Sequence, residues 1–285
     1  MDDTVWMTVC AALESIEDPR QRCVYSLRTI LKVGLWAILH DRPFCWACEE
    51  EHWPGRFRPR DLPDQSTLSR RWRTDDVARA LERLHRVLIR ALGALGRYAA
   101  IDGRPMPVGG ASQDKEARAG RSVRGMGRGY KLHAMVNAAG AIVCFLVKPM
   151  NEAEQAVART LMHEAPRELT RIVGDAIYDS VKLHREARCT GRKLYTHLRE
   201  QRVGRRQQPE RLRLLRVHSA GVGARLLRSR DVIERAFATM SNIGFGFKGL
   251  PPWARRLHRA TAWTSGKILF YNAYLLHRQA NRAAA

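Results

Sequence analysis

Hydrophobic residues in the first third of the chain recur at the spacing of an α-helix. Apolar positions fall three or four residues apart over 26–40 and again over 76–95. This is the pattern of helices that bury one face. The pattern therefore predicts a helical N-terminal region over residues 1–95.

A shorter helix is predicted between those two. A Pro- and Arg-rich linker, 53–63, precedes a segment in which Asp64 or Ser66 can accept hydrogen bonds from the first free N–H groups of a helix. Arg70 and Arg71 then fall on its exposed side. Two helices joined by a turn, the second of them basic, are typical of a DNA-binding helix-turn-helix. Arginines on the surface of an ordinary helical bundle give the same pattern.

The period of the pattern changes after Gly96. Residues 98–108 are extended and apolar around one acid, 129–137 alternate between apolar and polar side chains, and 141–147 are continuously apolar. Alternation with a period of two predicts a half-buried strand, and a continuous apolar run predicts a strand covered on both faces. The short turn between the last two runs predicts antiparallel pairing.

Helices and strands alternate in the rest of the chain. The predicted elements are a helix at 152–163, a strand at 171–179, a helix at 180–188, a strand at 192–198, a basic insert at about 199–230 and a helix from Ser229. A meander followed by this alternation predicts an α/β domain over residues 96–285, with a mixed five-stranded sheet flanked by helices.

Charge indicates the kind of partner. The chain carries 50 Lys and Arg against 28 Asp and Glu, for a formal net charge of +22 over 285 residues. Its 45% hydrophobic residues exclude a wholly disordered chain, and the high charge makes a polyanion the expected partner.

The insert at 199–230 holds ten Arg, among them Arg205 and Arg206, and no Phe, Trp or Tyr. We expect it to follow the DNA backbone without reading the sequence, because it offers no surface for base stacking.

A second basic stretch lies among glycines at 118–128. It predicts a flexible loop that contacts phosphate, with a simply solvated loop as the alternative. Asp114 and Glu116, just before it, are predicted to be solvated.

Membrane and secretory classes find little support. No apolar run approaches the roughly 18 residues that span a bilayer, and the acidic N-terminus lacks the layout of an export signal. The basic residues are spread along the chain, so no membrane partner is expected.

Cys45 and Cys48 form a CxxC without a second pair at zinc-binding spacing. Small buried residues are the favoured interpretation, a metal or redox role is the alternative, and a reducing cytosol is the expected compartment.

Three acids in this basic chain adjoin apolar segments: Asp102, Asp175 and Glu234. Carboxylates brought together raise one another's pKa unless a cation neutralises them. Hard oxygen ligands suit Mg²⁺ or Mn²⁺, and two such ions can hold a phosphodiester between them. The alternative is three unrelated acids that each cap a helix or pair with an arginine.

Four blocks, IDGRPMPV, GYKLHAMVNAAGAI, GDAIYDS and RDVIERAF, resemble the ordered core blocks of bacterial insertion-sequence transposases of the DDE class, in particular the IS-four and IS-five type. The likeness covers about residues 97–275. It implies a ribonuclease-H-like fold, with Asp102, Asp175 and Glu234 as a catalytic triad that holds two Mg²⁺ or Mn²⁺ ions. Such enzymes cut the element's ends by metal-dependent hydrolysis, and the freed 3′-hydroxyl attacks target DNA. Paired cutting makes a homodimer on DNA a reasonable expectation.

Further candidates lie around the acids. Arg230 precedes Glu234 by one helical turn and matches the arginine of the family signature; it can bind a phosphate or balance neighbouring acids. Lys131 is predicted to contact DNA phosphate from the polar side of its strand. His133 is predicted to orient a carboxylate or water, with a structural histidine as the alternative. Many relatives have Ser or Thr after the first Asp, where this chain has Gly103.

Two other functions fit the same sequence. A related metal-dependent nuclease would cut DNA without joining the 3′ ends to new DNA. A catalytically inactive derivative would bind DNA alone, and Asp102→Asn would then change none of its activities.

Overall fold

The structure is a computed structural model. It describes residues 3–18, 23–93, 96–109, 112–122, 125–198, 209–244, 246–247 and 249–284. Arg205 and Arg206 lie outside the described residues. Within the described ranges, no helix combines the length and the apolar character needed to cross a membrane.

The described residues form eleven helices and six strands. The helices are α1 (Asp3–Leu13), α2 (Leu27–Leu39), α3 (Phe44–Ala47), α4 (Gln65–Arg71), α5 (Asp75–Ala91), α6 (Glu154–Glu164), α7 (Val181–Cys189), α8 (Pro209–Ser219), α9 (Gly221–Arg228), α10 (Asp231–Asn242) and α11 (Leu257–Ala284). The strands are β1 (Tyr98–Pro107), β2 (Arg118–Ser122), β3 (Gly125–Asn137), β4 (Ile142–Pro149), β5 (Arg171–Gly174) and β6 (Lys193–Thr196).

The chain divides into two compact units, Met1–Leu92 with Ser241–Ala285, and Gly93–Met240. The sequence predicted that residues 241–285 belong with the sheet, whereas the structure packs α11 against α1, α2 and α5. The packing is close, since a Cβ on Gly266 of α11 would stand 2.8 Å from Cγ2 of Ile38. An apolar stripe shows that a helix is buried but not which neighbour buries it.

The predicted helix starts of the first unit are present. The Ser26 hydroxyl accepts the Thr29 N–H at 3.0 Å at the start of α2, and the Asp64 carboxylate accepts the Thr67 N–H at 2.9 Å at the start of α4. Between α2 and α4 lie α3 and a short 3-10 turn at Glu50–His52. The arrangement therefore differs from the two helices and one turn that the sequence predicted.

Gly34 in α2 is packed so closely against a neighbouring side chain that a larger residue would clash. A Cβ there would stand 2.0 Å from Cζ3 of Trp72. Alanine favours a helix over glycine by at most about 1 kcal/mol, while overpacking costs about 1–3 kcal/mol and sometimes more. We expect Gly34→Ala to lower the free energy of unfolding by about 2 kcal/mol in urea titrations. Gly55→Ala, whose Cβ would meet nothing within 4 Å, is the control, and an equal change in both variants would contradict the contact.

The second unit is built on the mixed sheet. Its order is β2-β3-β1-β5-β6, and β4 also pairs with β3. The meander β1, β3 and β4 is antiparallel, whereas β5 runs parallel to both β1 and β6. This confirms the predicted α/β fold of ribonuclease-H type, with one strand more than predicted.

Helices cover both faces of the sheet. On one face Ile101 and Ile172 pack with Leu161 of α6 and Leu183 of α7. On the other, Val173 packs with Leu227 of α9. Because both faces are covered, Tyr130–Asn137 of β3 is buried throughout, and the prediction that this strand is half-buried was wrong.

The extra strand replaces the loop predicted at 118–128. β2 pairs with the first residues of β3 as a hairpin, and Arg128 donates to the carbonyl of Ala117 at 3.0 Å. Asp114 is also not solvated: it is 5% exposed and accepts the Tyr130 hydroxyl at 2.8 Å. These side chains hold the hairpin in place. The Arg128 guanidinium donates to a backbone carbonyl of the hairpin.

Candidate active site

Asp102 and Asp175 are positioned by neighbouring parallel strands. Asp102 is within β1, Asp175 directly follows β5, and the two strands pair with Ala100 opposite Val173. Each acid is two residues beyond that pair. Because side chains alternate with a period of two, this register sends both carboxylates toward the same face.

Asp175 is held by the chain that follows it. Its Oδ1 accepts the Ile177 N–H at 2.8 Å, at the start of a 3-10 turn over Ala176–Tyr178. The Tyr178 hydroxyl is buried nearby, and its pKa is raised well above the ordinary value, first by burial and then by Glu154, Asp102 and Asp175. Three carboxylates therefore lie within electrostatic reach of one phenol.

Arg230 connects Asp102 with Glu234. Its Nη1 lies 3.3 Å from Oδ2 of Asp102, and its Nη2 forms an ion pair with Oε1 of Glu234. Glu234 is in the first turn of α10, one turn after Arg230. The structure thus brings Asp102 and Glu234 to one guanidinium, with Asp175 just after the end of the adjacent strand.

The carboxyl of Asp102 is difficult to ionise. Its pKa is raised to about 6, mainly by burial and in smaller part by the neighbouring carboxylates of Asp175 and Glu154, against the opposing effects of the Gly103 N–H and the Arg230 guanidinium. The Gly103 N–H donates to Oδ1 at 2.7 Å. Negative charge at this position is therefore only partly compensated by the protein.

A network beside Asp102 was not predicted from the sequence. Glu154, the first residue of α6, forms an ion pair with Lys131 at 2.7 Å and accepts the Tyr178 hydroxyl at 3.1 Å. A Cβ on Gly103 would stand 3.0 Å from Cδ of Lys131 and 3.4 Å from Cδ of Glu154. Since Gly103 faces this network, Asp102 faces the opposite side of β1. An acid in the first turn of a helix is so ordinary that it gave no signal of this role.

Lys131 does not face solvent as the sequence predicted, and its contact with DNA stays a prediction. Its side chain is 8% exposed, and its ammonium is paired with Glu154. The alternation of β3 predicted a solvent-facing lysine, but α6 covers that face. Lys131 therefore joins β3 to α6 through its ion pair with Glu154.

His133 is opposite Gly103 in the pairing of β1 with β3. It is 1% exposed, and neither ring nitrogen has a hydrogen-bond partner among the described residues. Burial, Lys131 and Lys148 lower its pKa to about 4, against an opposing effect of Glu154. The imidazole is thus neutral at pH 7, on the Gly103 side of β1, and its auxiliary role stays a prediction.

The other predicted DNA contacts differ in accessibility. Arg70 is exposed, whereas Arg71 is half-buried and donates to the carbonyl of Tyr25 at 3.2 Å. Arg71 thus holds the segment that precedes α2. Of the two arginines, Arg70 is therefore the better candidate for a contact with DNA. In the described part of the basic insert, Arg213 donates to the carbonyl of Leu194 at 2.9 Å.

The acids fit a divalent cation by their chemistry. Asp102, Asp175 and Glu234 offer hard oxygen donors, and the raised pKa of Asp102 shows negative charge that a cation would compensate. Their oxygens are not gathered around one point, since among the described residues only Glu49, Glu51 and His52 have ligand atoms all within 4.8 Å of one another.

Asp102→Asn should stabilise the protein in a pH-dependent way. The folded-state pKa is about 6 and the ordinary value 3.8, so the folded state holds this proton more tightly. Stability from this group is therefore lost as the pH rises from about 4 to about 6. We expect the variant to gain about 3 kcal/mol in free energy of unfolding at pH 7 and less than about 1 kcal/mol at pH 4. Urea titrations in EDTA at both pH values test this, and an equal gain at both would refute it.

The sequence of this domain matches a known protein family. The family model described as transposase DDE domain matches residues 94–272, which is more than half of the chain. No curated protein matches the chain. The matched residues include the strands and helices that carry all three acids.

Proposed function

Because the chain belongs to the transposase DDE domain family, whose substrate is DNA, we propose that it is an insertion-sequence transposase of the IS-four or IS-five type. It cuts DNA strands at the ends of its element and joins the freed 3′-hydroxyl to target DNA. The observation that carries the proposal is the link from Asp102 through Arg230 to Glu234, with Asp175 at the end of the next parallel strand.

Asp102, Asp175 and Glu234 would hold the divalent ions, Mg²⁺ or Mn²⁺, that members of this family typically use. Bound there, two ions would activate the attacking oxygen and stabilise the leaving oxygen of a phosphodiester. The protein's part is to orient the acids: the Ile177 N–H fixes Asp175, and the Gly103 N–H fixes Asp102.

Arg230 has two properties that suit a place beside DNA. Its side chain is 21% exposed, and a guanidinium can grip two oxygens of a phosphate at once. Before DNA binds, its contacts with Asp102 and Glu234 reduce the repulsion between the acids. We propose that the arriving phosphate shares this guanidinium.

DNA binding by the rest of the chain follows from its charge. A net charge of +22 predicts affinity that falls steeply with salt, with exposed Arg70 among the contributing residues. We propose that the protein works on DNA in the bacterial cytoplasm, as a homodimer when two ends are cut together.

The test is a reaction on the DNA that flanks the gene, with Mg²⁺ or with EDTA. The proposal predicts strand cuts only with Mg²⁺, followed by labelled 3′ ends joined to new DNA. Cuts without joined product would indicate a nuclease, and absence of cuts under both conditions would contradict the proposed activity.

A further inference from the structure

The helical unit contains a cavity of about 90 Å³ that the proposed chemistry does not use. It lies where α4 passes α3, the segment around Trp253 and the start of α11. Its wall includes the rings of Phe44, Trp72 and Trp253 and, beside them, Gln65, Arg73 and Arg259. Aromatic surface and cationic side chains therefore meet at one opening.

The aromatic wall is held in place. Phe44 lies 5.8 Å from Trp253 and 5.1 Å from Trp72, measured between ring centroids. The Trp253 indole N–H donates to the carbonyl of Asp41 at 3.1 Å. Asp41 is itself fixed, since its Oδ1 pairs with Lys267 at 2.9 Å. The rings thus form a preorganised surface.

The cations at the opening are available to a ligand. Arg73 and Arg259 are both exposed, and neither forms a side-chain ion pair with any described residue. Two unopposed guanidinium groups beside aromatic rings complement a planar ring flanked by phosphates. An aliphatic side chain of a protein would use the rings but not the charges.

We propose that this cavity binds one unstacked base of a DNA strand, with the base against Phe44 and Trp253 and the adjoining phosphates near Arg73 and Arg259. The inference rests on DNA as the partner in the proposed function. Stacking on aromatic rings is tolerant of sequence because every base has a flat face. At about 90 Å³ the cavity is too small to enclose a whole base, so the base would lie in its opening with one edge inside, and a paired base in a duplex would have to leave its stack to do so.

Single-stranded DNA provides the direct probe. A thymidine oligonucleotide with one 5-iodouracil is irradiated on the full chain, and the crosslinked peptide is identified by mass spectrometry. We expect crosslinks to Phe44 or Trp253. In anisotropy titrations with the same oligonucleotide, Trp253→Ala should weaken binding about tenfold, and Trp253→Phe should lose much less.

Matched variants separate this site from general DNA binding. Trp46→Ala removes a half-buried ring outside the cavity and should leave the affinity within about twofold. Ser69→Tyr leaves the aromatic wall intact but fills the cavity, and should reproduce the loss seen in Trp253→Ala. Arg73→Gln should reduce the slope of the logarithm of the binding constant against the logarithm of the salt concentration by about one.

Three results would overturn the inference: crosslinks only outside the cavity, equal affinities of Trp253→Ala and Trp46→Ala, or a dimer in solution that Ser69→Tyr abolishes while binding to single strands is unchanged. With Mg²⁺-dependent cutting intact, any of these removes the base-binding cavity alone. Failure of the wild-type chain to bind DNA at all would instead remove the proposed function.

Discussion

Asp102→Asn is expected to reduce Mg²⁺-dependent DNA cutting at least about 10³-fold while DNA affinity stays within about twofold. The amide keeps the shape of the side chain and can still accept the Gly103 N–H, but it removes the negative charge. Since Asp102 contributes its charge to a group that includes Asp175 and Glu234, one neutral member removes much of the attraction for a divalent cation. Cutting of a labelled duplex and binding of the same duplex are measured side by side.

Asp231→Asn is the matched control for this prediction. Asp231 is an exposed acid in the same first turn of α10 as Glu234, and its carboxylate forms no ion pair with any residue that the structure describes. Its substitution should leave cutting unchanged within about twofold. Equal cutting by Asp102→Asn and wild type would show that Asp102 takes no part in the reaction.

Lys131→Met is expected to lower the free energy of unfolding by about 3 kcal/mol. The change leaves the Glu154 carboxylate, 15% exposed, without its cation, and among the described residues the Tyr178 hydroxyl is then its one side-chain partner. Replacing both members of a buried pair by apolar residues removes the charges together, so Lys131→Met/Glu154→Leu should cost about 1 kcal/mol or less. Urea titrations of both variants give the comparison.

Lys148 supplies the control for the ion pair. It is opposite Lys131 in the pairing of β3 with β4, and Lys148→Met removes the same charge from a half-buried side chain. It should change the free energy of unfolding by less than about 1 kcal/mol. Equal losses in the single Lys131 variant and the double variant would mean that side-chain packing, not charge pairing, sets the cost.

Local pattern was sufficient to predict most of the sheet. The alternation of β3 and the apolar run of β4 predicted their antiparallel pairing. The three candidate acids were chosen because each adjoins an apolar segment. The caps at Ser180 and Asp64 illustrate the same local physics: a side-chain oxygen accepts the N–H three residues on, at Leu183 and Thr67.

Contacts between distant residues could not be predicted in this way. The partner of Lys131 is Glu154, on an element that covers the strand from outside, and a strand with a period of two does not reveal whether its polar face is later covered. The same limit applies to Arg71, whose helical position predicted exposure although its guanidinium turns toward Tyr25. It also applies to α11, whose apolar stripe fits either unit.

Binding of Mn²⁺, followed by the loss of the free-ion EPR signal, tests the central claim most directly. Glu49→Gln/Glu51→Gln is used as the background, so that the exposed acidic group of the helical unit contributes no binding. In that background, Asp102→Asn, Asp175→Asn and Glu234→Gln should each weaken Mn²⁺ binding at least about tenfold, and Asp231→Asn should not. Undiminished Mn²⁺ binding by the Asp175 or Glu234 variant would contradict a shared cation site.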